Sequence, residues 1–424
     1  MRKTMHVSQG SWARSLRRVA AALAAGAVAT ACGVSSGQQS SGGSADTTPI
    51  KIGVVTGLTG PYANLGQAQA NGANLAIKQL GGKAGSHPIS AIVRDDQINA
   101  TQAETQAKDL VQSQGVQVLT GCVSAATTLV INQVAKQAGI PYIGTCQTEK
   151  VNRPPDLGPY TFHIAPATSY DIKATSQWVA QTLGKKGVFV EPDYAWGHEQ
   201  WDAWSKDYAA AGGQALAPIW APLGTTDWSS YIPKVQASNA DFVMVGGGGR
   251  DAESFLKQAK QFGLDKQMKI FTYLADQAFD QEMGFDPLQG TYALQNFVWT
   301  DKNAGVQKFV KDYQAQFKTP PGSYSAYVYN AVMMYADAVK ANQYKPDQLV
   351  KYLSGKTLNL AGGNVTIRKC DRQAILPTWA TLGLTQSEAA SKGGSAQFGY
   401  RQVIKTFPAS ESDLPTCASE GISS

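Results

Sequence analysis

The sequence has few of the residues that build metal sites and catalytic triads. Its 424 residues include five cysteines and four histidines, and no two cysteines stand in C-x-x-C spacing. A zinc site of nitrogen and sulfur ligands and a histidine-based triad are therefore not expected. The sequence also lacks any apolar run near the roughly 18 residues that a membrane-spanning helix needs, which excludes a polytopic membrane protein.

Charge is also scarce, and it is unevenly placed. Only 16% of the residues are charged, and the formal net charge is +6. Residues 1–31 hold five bases and no acid. The whole chain has 37 bases, so the part beyond residue 31 has 32 bases and 31 acids. A nearly neutral body has no electrostatic footprint for DNA or RNA, so we expect no nucleic-acid partner.

The first 31 residues have the order of a secretory signal peptide, in which arginines precede a short apolar run at residues 19–31. The run ends in Ala-Thr-Ala-Cys at residues 29–32, which resembles the lipobox of bacterial lipoproteins. We expect Cys32 to be lipidated and to hold the exported protein at the extracytoplasmic face of the cell membrane. A plain signal peptide cleaved elsewhere is the alternative. Residues 32–49 are rich in Gly and Ser and predict a flexible tether.

Four cysteines remain once Cys32 is assigned to lipid. An even number of cysteines in an exported chain predicts disulfides. Three connectivities are possible, and we favour Cys122–Cys146 and Cys370–Cys417, with 23 and 46 residues between the cysteines. On a chain-entropy model these two bonds stabilise the fold by about 3.4 and about 4 kcal/mol.

From Ile50 onward, strand-like apolar runs alternate with segments of helical periodicity. This alternation predicts an α/β fold with two doubly wound parallel-sheet lobes, joined by a multi-stranded hinge. Helical segments at residues 304–317 and 325–342 have no strand of their own, and we expect them to cover the first lobe. The expected boundaries are 50–165 plus 295–360 for lobe one and 166–294 plus 361–424 for lobe two.

Several motifs go beyond composition: Thr59-Gly60-Pro61-Tyr62, Asn71-Gly72-Ala73, Asp95-Asp96 and Gly139-Ile140-Pro141. Their order and spacing resemble the leucine/isoleucine/valine-binding family of type I periplasmic binding proteins, over most of the body. The resemblance implies a monomeric, lipid-anchored solute-binding protein that uses no cofactor and serves the permease and ATPase subunits of an ABC importer. A ligand-sensing lipoprotein of the same fold, which reports to a membrane signalling partner, is the alternative.

The resemblance also implies ligand contacts in lobe one, at Tyr62, Leu65, Ser124, Ala125 and Thr148. Thr148 falls on the family's ligand-binding threonine, and the backbone N–H groups where a helix begins near Ala125 can hold a carboxylate. Ala125 stands where the amino-acid binders have a serine, so one hydroxyl is lost. Ser124 can compensate for it, or can simply cap the helix.

In lobe two the resemblance implies contacts at Trp196, Tyr273 and Asp276. Trp196 matches an aromatic residue that packs on the ligand, although a half-buried core tryptophan is the alternative. Ala275 replaces the glutamate that pairs the ammonium of an amino acid, and Gly248-Gly249 replace bulky tyrosines. These changes favour an aromatic carboxylate or an amide over an α-amino acid, unless Asp276 takes over the glutamate's role.

The expected mechanism is capture of a small amino-acid-like, amide or aromatic carboxylate ligand by hinge closure. Lobe one binds the ligand first, and lobe two then brings its aromatic residues and Asp276 across the cleft. Strand carboxyl ends should face that cleft, because ligands of open α/β sheets bind there. We therefore expect a binding protein without a catalytic or metal site, rather than an enzyme.

Overall fold

The computed structural model describes residues 46–392 and 395–422. The signal peptide and the lipidation site expected at Cys32 lie outside these residues. None of the described helices is long and apolar enough to cross a membrane. The described ranges also contain no group of three or more His, Cys, Asp and Glu residues that could hold a metal ion.

Lobe one is built on a six-stranded sheet in the order β2-β3-β1-β4-β5-β6. Its strands are parallel except for the antiparallel β2–β3 pair. The central strand β1 is apolar and buried on both faces, as a strand covered by helices on two sides must be. The elements are β1 (Ile50–Thr56), α1 (Ala63–Gln79), β2 (Lys83–Ala84), β3 (His87–Asp95), α2 (Ala100–Gln112), β4 (Val118–Gly121), α3 (Ala125–Ala138), β5 (Tyr142–Gly144) and β6 (Thr161–His163).

Lobe two begins after β6 and repeats the alternation. Strands β7, β10, β11 and β12 pair in parallel, and β8 and β9 both pair with β7. The elements are α4 (Thr168–Thr182), β7 (Lys186–Pro192), α5 (Ala195–Ala210), β8 (Gln214–Ala215), β9 (Ile219–Ala221), α6 (Ile232–Ala237), β10 (Phe242–Val245), α7 (Gly249–Gln261), β11 (Lys269–Thr272), α8 (Gln277–Met283), α9 (Phe285–Leu288) and β12 (Tyr292–Gln295).

The chain then returns to lobe one with α10 (Ala304–Phe317), α11 (Ser323–Lys340) and α12 (Pro346–Leu353). Helix α11 packs along α1, and this close approach requires Gly72, since a Cβ there would collide with the Ser325 carbonyl oxygen. Strands β13 (Thr357–Leu360), β14 (Gly363–Ile367) and β15 (Ala374–Ile375) form a small antiparallel sheet. Gln373 forms a bridge to His163 of β6, so this sheet adjoins lobe one.

The boundary at residue 361 therefore differs from the sequence-based expectation, which places residues 361–424 in lobe two. Strands β14 and β15 pair with β13, which contacts α10 and α11. Only the next elements, β16 (Thr378–Gly383), α13 (Gln386–Ser391) and β17 (Arg401–Phe407), follow in lobe two. Short antiparallel strands carry no pattern that tells which lobe they join. Because β16 pairs antiparallel with β12 and β17 pairs antiparallel with β16, the second sheet is mixed.

Residues 408–422, the C-terminal strap, cross back from lobe two to lobe one. Lys173 Nζ on α4 donates to the Ser412 carbonyl oxygen at 3.0 Å. Arg368 Nη1 donates to the Pro415 carbonyl oxygen at 2.8 Å. A disulfide then joins Cys417 to Cys370, which lies between β14 and β15, with a Cα–Cα distance of 6.4 Å.

The second disulfide, Cys122–Cys146, joins the loops after the neighbouring strands β4 and β5, with a Cα–Cα distance of 5.7 Å. Both disulfides that the sequence favours are thus present. Lobe one is cross-linked at the carboxyl edge of its sheet, next to the place where helix α3 begins.

Candidate functional site

A narrow cavity of about 10 Å³, room for about one water molecule, lies between the two lobes. Eleven residues line it, and none of them is charged. Most are aromatic or aliphatic, so once the lobes part, these walls suit a small molecule with an apolar or planar body. Lobe one contributes Tyr62, Leu65, Val123, Ala125, Gln147 and Tyr324, and lobe two contributes Tyr194, Trp196, Gly248, Leu274 and Phe279.

Five helices from both lobes begin at this cavity. Each begins either after the carboxyl end of a strand or opposite such an end across the cleft. Their first residues are Ala63 (α1), Ala125 (α3), Ala195 (α5), Gly249 (α7) and Ser323 (α11). The first turn of a helix carries unpaired N–H groups and a partial positive charge. In the described structure the starts of α1, α5 and α7 have no side-chain cap. The uncapped starts of α5 and α7 can therefore donate N–H groups to a carboxylate.

The expected contacts Tyr62, Leu65, Ala125 and Trp196 all line the cavity. Trp196 is 5% exposed, and its Nε1 has no hydrogen-bond partner among the described residues. The Tyr62 hydroxyl faces that of Tyr194 without a hydrogen bond of normal geometry. Burial raises the pKa of Tyr62, so its hydroxyl stays neutral. These groups can donate hydrogen bonds to an acceptor inside the cavity.

Tyr273 and Asp276 lie outside the lining. Tyr273 packs behind Trp196, with ring centroids 5.9 Å apart, and its hydroxyl donates to the Thr168 carbonyl oxygen at 3.0 Å. Asp276 caps α8 by accepting from the Ala278 N–H at 2.9 Å, and it reaches lobe one by accepting from the Tyr324 N–H at 3.2 Å. Burial raises the pKa of Asp276 to about 6. The carboxylate thus joins the lobes at the start of α11.

Ser124 and Thr148 also lie outside the lining. Ser124 Oγ caps α3 by accepting from the Ala126 N–H at 3.3 Å. Thr148 Oγ1 donates to both carboxylate oxygens of Glu199 at 3.3 Å, and the Glu149 N–H donates to Glu199 Oε2 at 2.9 Å. Glu199 belongs to α5 of lobe two, so these bonds cross the cleft. Burial raises the pKa of Glu199 to about 7.

Sequence reasoning missed several lining residues: Val123, Gln147, Tyr194, Leu274, Phe279 and Tyr324. Gln147 precedes Thr148 and Tyr194 precedes Trp196, and the resemblance implies that Thr148 and Trp196 are ligand contacts. The positions of Gln147 after β5 and of Tyr194 after β7 could therefore have indicated that they face the cleft. Phe279 and Tyr324 lie near the starts of α8 and α11. Their direction toward the cleft depends on how the two lobes pack, which local sequence does not encode.

Comparisons with known proteins agree with this geometry. The periplasmic binding protein family model matches residues 49–384. A Leu/Ile/Val-binding protein homologue of Brucella abortus is 27% identical over 336 residues, which are 74% of this chain and 81% of that protein. A periplasmic binding protein from Burkholderia mallei superposes with a TM-score of 0.80 at 27% identity, over 87% of this chain and 96% of that chain.

A solute-binding protein of an ABC transporter from R. palustris, solved in complex with benzoate, shares the fold. Its TM-score is 0.76 at 22% identity, over 85% of this chain and 97% of that chain. The type I fold with two lobes, which the motifs predict, is confirmed by these matches. Because the family model spans most of the chain, this protein belongs to the periplasmic binding protein family.

Proposed function

We propose that this protein is the extracytoplasmic solute-binding protein of an ABC importer, and that its lobes close on a small carboxylate with an aromatic or apolar body. The observation that carries this proposal is the interlobe cavity, whose eleven lining residues include no charged side chain. Residues from both lobes form the lining, so a ligand held there stabilises the closed form.

The electrostatics favour an anion over an α-amino acid. The helix starts at Tyr194 and Gly248, which line the cavity, have no side-chain cap, and their first-turn N–H groups can donate to a carboxylate. An α-ammonium finds no acidic partner among the lining residues, and Asp276 is already hydrogen-bonded to the starts of α8 and α11. The benzoate that the R. palustris neighbour binds is a carboxylate of this kind.

Calorimetry on the purified protein tests the ligand class with benzoate, leucine, isoleucine and benzamide. We expect benzoate to bind more tightly than either amino acid. Benzamide is the matched control, because it keeps the ring and loses the negative charge, and it should bind more weakly than benzoate. Tighter binding of leucine or isoleucine would show that another group pairs the ammonium. Equal binding of benzamide would show that the helix starts do not select an anion.

The expected lipid anchor on Cys32 belongs to this proposal, since a tethered receptor stays near the permease that it serves. Cys32→Ser should move the protein from the membrane fraction to the soluble extracytoplasmic fraction, and mass spectrometry should show the loss of the acyl groups. Retention of the variant in the membrane fraction would contradict anchoring through this residue.

A further inference from the structure

The side-chain amide of Gln147 is held in one orientation by a buried polar network. Its Nε2 donates to Asp171 Oδ2 at 2.9 Å and to Asn296 Oδ1 at 3.0 Å. Asn296 Oδ1 must be the acceptor there, because Asn296 Nδ2 itself donates to both carboxylate oxygens of Asp171 at 3.0 and 3.1 Å. With Asp171 ionised, the donor and acceptor roles of these side chains agree only when the Gln147 amide nitrogen faces Asp171.

This network lies where the chain passes between the lobes. Asp171 is in the first turn of α4, Asn296 follows β12, and Thr378 begins β16. Thr378 Oγ1 donates to Asp171 Oδ1 at 2.6 Å. The partners of Gln147 Nε2 are thus hinge residues outside the cavity lining, and in this arrangement of the lobes they fix the amide.

The fixed orientation leaves Gln147 Oε1 as an acceptor at the cavity. Gln147 lines the cavity and is 4% exposed, and its Oε1 has no hydrogen-bond partner among the described residues. A buried carbonyl oxygen without a partner is unfavourable, and a ligand donor would recover that free energy. Trp196 Nε1, which is also unpartnered in the lining, offers the complementary donor.

The ligand group that meets Gln147 Oε1 should be neutral. The lining contains no acidic side chain that could pair an ammonium. We propose that Gln147 is a specificity-determining residue, which selects carboxylates that carry a hydroxyl or an amide N–H over the same carboxylates without that donor. This inference rests on the proposed function and names the substrate class of its site.

Calorimetry on matched ligand pairs tests the role of Gln147. The pairs are benzoate with each monohydroxybenzoate, and isocaproate with its α-hydroxy derivative. The wild-type protein should bind at least one hydroxylated member about tenfold more tightly than its parent, as expected for one recovered buried hydrogen bond. Gln147→Met has a similar size without the carbonyl acceptor, so it should bring that ratio close to one.

Thr378→Val is the matched control, because it removes a hydrogen bond to Asp171 and leaves Gln147 Oε1 in place. It should change the affinity for both members of a pair alike. The proposal is overturned if the wild-type protein binds parent and hydroxylated ligands equally, or if Thr378→Val abolishes the preference as completely as Gln147→Met. Binding without a preference refutes only the role of Gln147, whereas no binding of any member overturns the proposed function as well.

Discussion

Replacing Gly249 with alanine should weaken ligand binding while each lobe stays folded. Gly249 is the first residue of α7 in lobe two, and it lies against Pro61 and Tyr62 of lobe one. A Cβ at this position would lie 2.5 Å from Tyr62 Cδ1 and 2.7 Å from the Pro61 carbonyl oxygen. Both partners are in the opposite lobe, so the collision exists only when the lobes are closed.

The expected size of the effect follows from the closed geometry. Inserting a methyl group into a packed contact costs about 1–3 kcal/mol, which corresponds to a rise in Kd of about 5- to 150-fold. The φ angle of Gly249 is +58°. Alanine in that region costs about 1 kcal/mol or more, and this cost lowers the stability of the open and closed forms alike.

Gly263→Ala is the matched control for Gly249→Ala. Its φ angle is +68°, and a Cβ there would meet nothing within 4 Å. Denaturant titration should show a similar loss of stability in both variants, whereas calorimetry with benzoate should show a loss of affinity only in Gly249→Ala. Small-angle scattering at saturating ligand should show a less compact Gly249→Ala. Equal affinity of Gly249→Ala and the wild-type protein would refute the argument that this contact forms on closure.

Three further predictions concern the cleft and lobe one. Between pH 6 and pH 8 the affinity for the ligand should fall by up to about tenfold. Burial on closure raises the pKa of Glu199 from 4.5 to about 7. The closed form therefore holds an extra proton at low pH and loses it as the pH rises through that value. Calorimetry of Glu199→Gln should show a much weaker pH dependence, and an unchanged one would contradict this role. Replacing Cys122 and Cys146 together by alanine should lower the free energy of unfolding by about 3 kcal/mol in a denaturant titration, and a loss near zero would count against the chain-entropy argument. Trp196→Ala should weaken benzoate binding at least about tenfold, whereas Trp220→Ala, outside the lining, should not; similar losses in both would mean that Trp196 acts only through packing.

Much of the element order follows from sequence periodicity, because each strand and helix buries a continuous apolar face. Helix α10 (Ala304–Phe317) has the bounds that the sequence pattern predicts. The same periodicity predicts a single strand over residues 214–219, where the structure has the two short strands β8 and β9. Pro218 stands between them and lacks the N–H group that a continuous ladder would need.

The site was less predictable than the fold. Residues directly after a strand, such as Trp196, can be expected at the cleft, because parallel strands end there. The position of Asp276 could not be derived in this way. Its carboxylate can accept hydrogen bonds from a ligand or from the first turn of a helix. In the structure it accepts from the Tyr324 N–H at the start of α11. Only the packing of the two lobes brings these distant segments together.

The C-terminal strap has a mechanical consequence for ligand capture. It leaves lobe two after β17 and is fixed to lobe one by the Cys370–Cys417 disulfide. A segment attached at both ends sets an upper limit on how far the lobes can swing apart. A narrower range of open conformations means that less conformational entropy is lost on closure, so the strap favours tight binding without touching the ligand. Reduction of this disulfide would remove the covalent attachment of the strap to lobe one.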